Sequence, residues 1–373
     1  MKILQLFGGV IRRGGEEMFV LNCMRHFADD SVSFDCLVIE DCVNDEFRGF
    51  VEGRGGSLYE LGIPLHATRF MNHIYKPVLG FLREHKYDVV HIHSSSISAL
   101  AALSAAAHKA GAPKVIVHSH ATGSADSIEH RVFRSLASLP MRRSVDTYCA
   151  CSAAAAEWKF VPKFASRAVI VKNGIDTDRF RFSDIARSEL RSALGIPDTA
   201  FVIGHVGRLC ELKNQAFLIH VAKTLADRGE DIRLLLVGGG EDEQKLIDLA
   251  REIGVSDMVI FAGDITNVQD YLCAMDAFAF PSEREGLGIV AVEAQCSGLP
   301  VAASTGVPED IRLTDDVVFL DVNYTDQAYG EWEDTLCAYR GRQRSDNSDA
   351  IRKAGYDIGS TVEQLKGVYG LKK

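Results

Sequence analysis

Short apolar runs alternate with segments whose apolar positions recur at helical spacing along almost the whole chain. KILQLF reads as a strand, and in the following EEMFVLNCMRHF the positions Val20, Leu21, Met24 and Phe27 fall on one helical face. VSFDCLVI, DVVHIH, KVIVHSH, DTYCA and RAVIVKN read as further strands, separated by helical stretches such as 97–110 and 127–142. Strands and helices in strict alternation predict a parallel sheet with helices on both faces. Asn173-Gly174 is a turn signal, after which the pattern restarts: FVIGHVG, a helix over 213–228, IRLLLVG, a helix over 241–253, MVIFAG, a helix over 267–275 and AFAF. The expected organisation is α/β: a first doubly wound domain over 1–172, a second over 173–350, and a terminal helical segment, 351–373, packing back on the first.

Chemistry is expected in the loops that leave the strands at their carboxyl ends, where open α/β sheets hold ligands. In PSEREGLGIVAVEAQCSGLPVAAS, residues 281–304, Pro281-Ser282 ends a strand, Gly286 and Gly288 open a short apolar helix, and Gly298 with Pro300 closes it. Free N–H groups at that helix start attract a phosphate, which the flanking Glu285 and Glu293 would repel. The acids fit a guest that also carries hydroxyls, because a carboxylate accepts hydrogen bonds from a sugar or ribose diol. The plainer alternative is that both acids complement the helix dipole and face water. GRLCELKN puts Arg208 and Lys213 on another such loop, either as solvated charges or as a pair that neutralises a diphosphate and stabilises it as a leaving group. In KVIVHSHAT, strand alternation sets His118 and His120 on one face with His120 nearer the carboxyl end, either a satisfied buried histidine or a ligand contact. GGVIRRGGEE brings Gly14 and Gly15 to a helix start without the G-x-G-x-x-G order of a dinucleotide loop. That leaves a phosphate contact or a surface loop as its readings.

Composition narrows the field without naming a reaction. The 373 residues, 47% hydrophobic and 25% charged, are ordinary for globular domains and long enough for two. The nine cysteines form no Cys-x-x-Cys pair and sit mostly in apolar runs, which reads as buried thiols in a reducing compartment. His91-Ile92-His93 and His118-Ser119-His120 lack a carboxylate or cysteine at ligand spacing, so no metal site is expected. Residues 1–172 carry 20 Lys and Arg against 17 Asp and Glu, and the remainder 21 against 34, so the second half should not dock on nucleic acid by charge. The apolar run at the amino terminus is too short for a signal-peptide core and ISALAALSAAA is too short to span a bilayer, which predicts a cytoplasmic protein. Arg12-Arg13 and RVFRSLASLPMRR, 131–143, mix cations with apolar residues, as either a solvated face or a contact with anionic lipid at the inner face of the membrane.

Taken in order, GGVIRRGGEE, NGIDTDRF, GRLCELKN, LLLVGGGEDE, VIFAGDITNVQDYL and PSEREGLGIVAVEAQCSGLPVAAS resemble the retaining glycosyltransferases of family 4. The wording is most similar to bacterial capsular and exopolysaccharide transferases. The resemblance implies the GT-B fold, two facing Rossmann-like domains with a cleft between them. It implies transfer of a hexosyl or N-acetylhexosaminyl group from a nucleotide sugar, UDP-linked by preference, to a saccharide acceptor that is lipid-linked, with neither metal nor other cofactor. By the same resemblance Glu285 would contact the transferred sugar, Glu293 the ribose, and Arg208 with Lys213 the diphosphate. The backbone of Gly286, Leu287, Gly288 and Ile289 would hold sugar and phosphate, with Ile265 near the base. Gly14 and Gly15 would approach the phosphates, and His120 would stand beside the reacting centre. A sugar-nucleotide 2-epimerase of similar fold and a non-catalytic nucleotide-sugar-binding protein are the competing readings.

Overall fold

The computed structural model describes residues 1–64, 72–120 and 128–371. The start of the expected helix at 127, and Lys372 and Lys373, lie outside them. The chain forms two compact units, residues 1–174 with 358–373, and residues 175–357. The first contains β1 (Lys2–Phe7), β2 (Ser33–Val38), β3 (Leu58–Glu60), β4 (Val89–His93), β5 (Lys114–Ser119), β6 (Thr147–Ala150) and β7 (Val169–Ile170). They form one parallel sheet in the order β3-β2-β1-β4-β5-β6-β7. The second contains β8 (Phe201–Val206), β9 (Ile232–Val237), β10 (Val259–Phe261), β11 (Ala277–Phe280), β12 (Val301–Ser304) and β13 (Val317–Leu320). These are also parallel, in the order β10-β9-β8-β11-β12-β13.

Each sheet starts at a central strand, winds outward to one side, and returns to wind outward on the other. The direction reverses between β1 and β4, and between β8 and β11. At such a switch point the loops leaving neighbouring strands turn to opposite faces and open a crevice at the carboxyl ends.

Strand alternation divides the faces of the first sheet. Leu4, Leu6, Val90, Ile92, Val115 and Val117 enter one core with the helices Asn72–Glu84 and Ile97–Lys109. Ile3, Phe7, Val89 and Ile116 enter the other, closed by the helices Gly15–His26 and Ile358–Tyr369. Gln5, His91, His93 and His118 share the parity of this second set, so the sequence alternation itself turns four polar side chains toward that face. The terminal helix buries Ile358, Val362, Leu365, Val368 and Tyr369 there. At about 1.5–3 kcal/mol for each fully buried large apolar side chain, it is an integral part of this core.

Two local boundaries differ from the sequence pattern. Ile351 and Tyr356 are buried in the second core, so residues 351–357 stay with the second unit and only the helix from Ile358 packs on the first. The expected helix from 213 begins instead at Gln215, because Asn214 takes a left-handed conformation (φ 56°) that ends a short 3₁₀ turn over Glu211–Lys213. Lys213 is therefore held on a turn, not on a helix face.

Candidate functional site

The second switch point gathers most of the expected residues. The loop after β8 runs through Gly207 and Arg208 into the turn that ends with Lys213, and the loop after β11 carries Glu285 to Gly288. Lys213 Nζ lies 2.5 Å from Glu285 Oε1, both side chains largely sheltered from water. The ammonium also stands 5.8 Å from the centre of the Phe280 ring, at the end of β11. Glu283 N donates to Leu212 O at 3.0 Å and ties the two loops together. Arg208 is exposed and has no ion pair among the described residues, which leaves its guanidinium available to an anion.

Close backbone packing shapes this crevice. A side chain at Gly238 would strike Gly207 O, one at Gly240 would strike Leu209 O, and one at Gly288, at φ 79°, would strike the Phe280 ring. Gly288 is the N-cap of the helix Ile289–Cys296, and no side chain caps it. Its first N–H groups are thereby left for a ligand, beside the backbone of Gly286 and the buried Leu287. Behind the loop, buried His205 donates from Nδ1 to Ala279 O at 3.0 Å, and Gln215 Nε2 lies 3.3 Å from its Nε2 and donates to Arg208 O at 2.9 Å. Burial foremost, with Lys213 nearby, holds the His205 pKa down to about 4. A neutral ring thus braces the backbone that presents the cations.

Glu293 lies one turn into the same helix, part-buried and without a hydrogen-bonding partner among the described residues. Burial raises its pKa to about 8, and the Arg179 guanidinium pulls in the opposite direction. Arg179 is itself fixed by Gln269 Oε1 at 3.1 Å and by Thr266 O at 3.2 Å. It belongs to NGIDTDRF, and the sequence reading gave it no role. Ile265 is part-buried against the same core.

The first switch point is built differently. His91, His93 and His118 are fully buried, and His120 joins them at the carboxyl end. His120 Nε2 lies 2.9 Å from His93 Nδ1, and His93 Nε2 lies 2.8 Å from Gln5 Oε1. Gln5 Nε2 reaches the Tyr369 hydroxyl at 3.1 Å, that hydroxyl lies 3.0 Å from His91 Nδ1, and His91 Nε2 is 3.2 Å from His118 Nδ1. Burial disfavours the charged form of all four imidazoles, lowering His91 and His120 to about 3 and holding His93 and His118 well below the usual imidazole range. His91, His93 and His118 each place a ring nitrogen within 4.8 Å of the others, a grouping that could hold a metal ion. In this structure both ring nitrogens of His91 and His93, and Nδ1 of His118, are hydrogen-bonded to one another, to Gln5, to Tyr369 or to His120, while His118 Nε2 is buried without a partner among the described residues.

Lys159 stands near His120, and Glu16 near Lys159, two titratable groups that the sequence reading passed over. Lys159 is buried, donates to Ser95 O, and lies 4.4 Å from the centre of the Trp158 ring. Burial lowers its pKa to about 8, against the pull of Glu16, whose own pKa burial raises to about 8. Gly14 caps the helix Gly15–His26, and Glu17 folds back so closely that a side chain at Gly14 would strike its carboxylate. The backbone N–H groups of Arg12, Gly14 and Glu17 favour the charged form of Glu17, while burial raises its pKa overall. An internal carboxylate thus occupies part of the anion site expected at Gly14, whereas Gly15 is exposed with open space beside its Cα. The signal that could have found the histidine group was the double His-x-His at the ends of two adjacent central strands. Lys159, far from both in sequence and inside an alanine-rich helix, gave none.

Known proteins share both the sequence pattern and the fold. Residues 13–179 match the family described as Glycosyltransferase Family 4, and residues 186–328 match Glycosyl transferases group 1. EpsF of Bacillus subtilis (strain 168), a glycosyltransferase by name, is 30% identical over 99% of this chain and 96% of its own length. A GDP-mannose-dependent alpha-(1-6)-phosphatidylinositol monomannoside mannosyltransferase of Mycobacterium tuberculosis is 31% identical over 61% of each chain. The structure of Anabaena Alr3699/HepE in complex with UDP and glucose superposes with a TM-score of 0.78 at 21% identity, covering 99% of both chains.

Proposed function

Since this chain belongs to the family 4 glycosyltransferases of the GT-B fold, we propose that it moves a hexosyl or N-acetylhexosaminyl group, with retention, from a UDP-sugar to a lipid-linked saccharide acceptor in polysaccharide synthesis. The observation that carries the donor half is the Lys213–Glu285 pair at the second switch point, with exposed Arg208 on the same loop as Lys213. A diphosphate that enters there takes Lys213 from Glu285 and gains Arg208. With Lys213 drawn to the diphosphate, the Glu285 carboxylate accepts a hydrogen bond from the sugar. As the glycosidic bond breaks, negative charge grows on the departing diphosphate, and cations already in place stabilise it without reorganisation. The backbone from Gly286 to Ile289 supplies N–H donors to sugar and phosphate, Glu293 takes the ribose diol, and Ile265 borders the base. In the first unit, Gly14, Gly15 and His120 are assigned to the phosphates and the sugar.

The preference for UDP draws on the Anabaena fold neighbour, which holds UDP-glucose in one of its structures, while the mycobacterial relative uses GDP-mannose. A thermal-shift panel of UDP-, GDP-, ADP- and dTDP-sugars decides between them. A ligand at a hundred times its Kd adds about 2.7 kcal/mol of stability, so a UDP-sugar should raise the melting temperature most. A larger shift with a GDP-sugar overturns the base assignment, and no shift with any of them overturns the function.

The acceptor half rests on the helix Ile128–Ser144, which exposes Val132, Leu136 and Leu139, each 55% accessible, beside exposed Arg131, Arg142 and Arg143. No helix among the described residues is long and apolar enough to cross a membrane. An apolar stripe edged with arginines lies instead in an anionic lipid surface. Leu136→Asp should reduce sedimentation with phosphatidylglycerol vesicles, and equal sedimentation of both proteins removes this contact.

A further inference from the structure

Among the described residues only two positions other than glycine hold a left-handed backbone, Asn214 (φ 56°) and Tyr324 (φ 54°). They stand 110 positions apart in sequence, and the Tyr324 hydroxyl donates to Asn214 Oδ1. Asparagine tolerates this conformation, but an aromatic residue in it is an outlier that its surroundings must hold in place. Burial does not compensate for the cost, since Tyr324 is 48% exposed and meets the fully buried Phe217 edge-on, with 5.5 Å between ring centres. A further cost lies at the same place: Asn214 Nδ2 is buried without a partner among the described residues. Costs gathered at one turn are the mark of a backbone kept for its geometry.

That turn carries Lys213. Lys213 N donates to Cys210 O at 2.9 Å and Asn214 N to Glu211 O at 3.0 Å, and Phe217 N donates to Asn214 O at 3.1 Å as the helix Gln215–Asp227 begins. A right-handed Asn214 would run the turn straight into that helix, and Lys213 would leave the backbone in another direction, away from its place beside Glu285. Asn214 and Gln215 are buried and fasten the loop on two sides: Gln215 Nε2 donates to Arg208 O, and Asn214 takes the Tyr324 hydroxyl. A hydroxyl can donate or accept, so this link holds in either orientation of the Asn214 amide. Tyr324 is fixed in turn by Thr325, which caps the helix Asp326–Ala338 by accepting from Ala328 N at 3.2 Å and donates to Asn323 Oδ1 at 2.7 Å. Resting on the glycosyl-transfer reading above, we propose that Tyr324 and Asn214 are positioning residues for Lys213, their hydrogen bond locking the left-handed turn that keeps its ammonium where the diphosphate departs. A charge stabilises a leaving group best when it need not move during reaction, so a loosened turn lowers turnover. The loop after β13 thereby acts on the site through the turn after β8.

The test is a double-mutant cycle on the full chain, with amide hydrogen exchange beside it. Tyr324→Phe keeps the half-exposed ring and removes only the hydroxyl. Asn214→Gly, which takes the left-handed turn freely and lacks the amide, is the second variant should the first fail to fold. Tyr324→Phe should lower kcat for UDP-glucose by roughly tenfold in the wild-type background and by less than about twofold in a Lys213→Ala background, because its effect passes through that ammonium. It should also speed exchange of the Lys213 and Asn214 amides by roughly tenfold. Asn214→Gly should lower kcat likewise, and Tyr324→Phe should add nothing to it. Equal falls with and without Lys213, as an independent structural defect gives, overturn the proposal. So does unchanged kcat, or unchanged exchange at the turn. Exchange needs no donor: a wild type that turns over no nucleotide sugar sinks the functional reading, while the exchange rates still decide whether Tyr324 holds the turn.

Discussion

The two switch points share a topology and differ in electrical character. Between β1 and β4 the crevice is lined with neutral imidazoles and an amide, linked in one hydrogen-bonded chain and buried beneath two helices. Between β8 and β11 it holds an ion pair, an exposed arginine and a carboxyl group raised by burial. The same winding of strands supplies both places, and the residues at the strand ends decide what each can do. A rigid neutral chain is suited to orienting one hydrogen bond, since it neither charges nor shifts with ordinary changes of pH. Preplaced cations are suited to a group whose charge grows during reaction.

Removing charge from the second site should have the largest effect. Lys213→Ala should lower turnover by about 100-fold or more at saturating donor, the size expected when a preorganised stabilising group is removed from a leaving group. Turnover near that of wild type would erase the contrast between the two sites.

The two acids should separate. Glu285→Gln should spare UDP binding and damage transfer, since its partner is the sugar, whereas Glu293→Gln should weaken UDP and the intact donor alike. Calorimetry should show a loss of about 1.5–3 kcal/mol for a charge-assisted bond. Equal UDP affinity in wild type and Glu293→Gln at every pH would return Glu293 to a helix-dipole role.

That loss should depend on pH, because Glu293 is raised to about 8 and is mostly protonated at neutrality. UDP affinity should strengthen as pH rises toward about 8, by at most roughly tenfold per unit, and Glu293→Gln should lack this dependence. Stability runs the other way. The folded protein holds the Glu293 proton between the ordinary 4.5 and about 8 while the unfolded chain has lost it, so stability is lost as pH rises through that window. Urea unfolding should show Glu293→Gln gaining on wild type across it, and the comparison of the two proteins cancels the similarly raised Glu16.

The smallest expected effect is none. With Arg208 and Lys213 in the place a metal ion would serve, transfer should proceed in excess EDTA. Loss of activity that manganese or magnesium restores would break this assignment.

Much of this was legible in the chain itself. Alternating apolar runs and helical stretches are local signals, and each strand and helix needs only its own neighbours in sequence to be recognised, so both doubly wound sheets followed from them. The same holds for the glycine loops and for Glu285, Glu293, Arg208 and Lys213, because a strand end followed by glycine and a helix start is written in consecutive residues. Contacts across the fold were not legible. Gln5 meets Tyr369 over nearly the whole length of the chain, and Lys213 meets Glu285 across two strand-to-helix units. Arg179 faces Glu293 only because one core packs both segments together. Whether a histidine is charged or neutral, or an acid raised or ordinary, depends on how completely other segments exclude water from it. That exclusion is a property of packing in three dimensions, and a side chain's neighbours in sequence do not fix it.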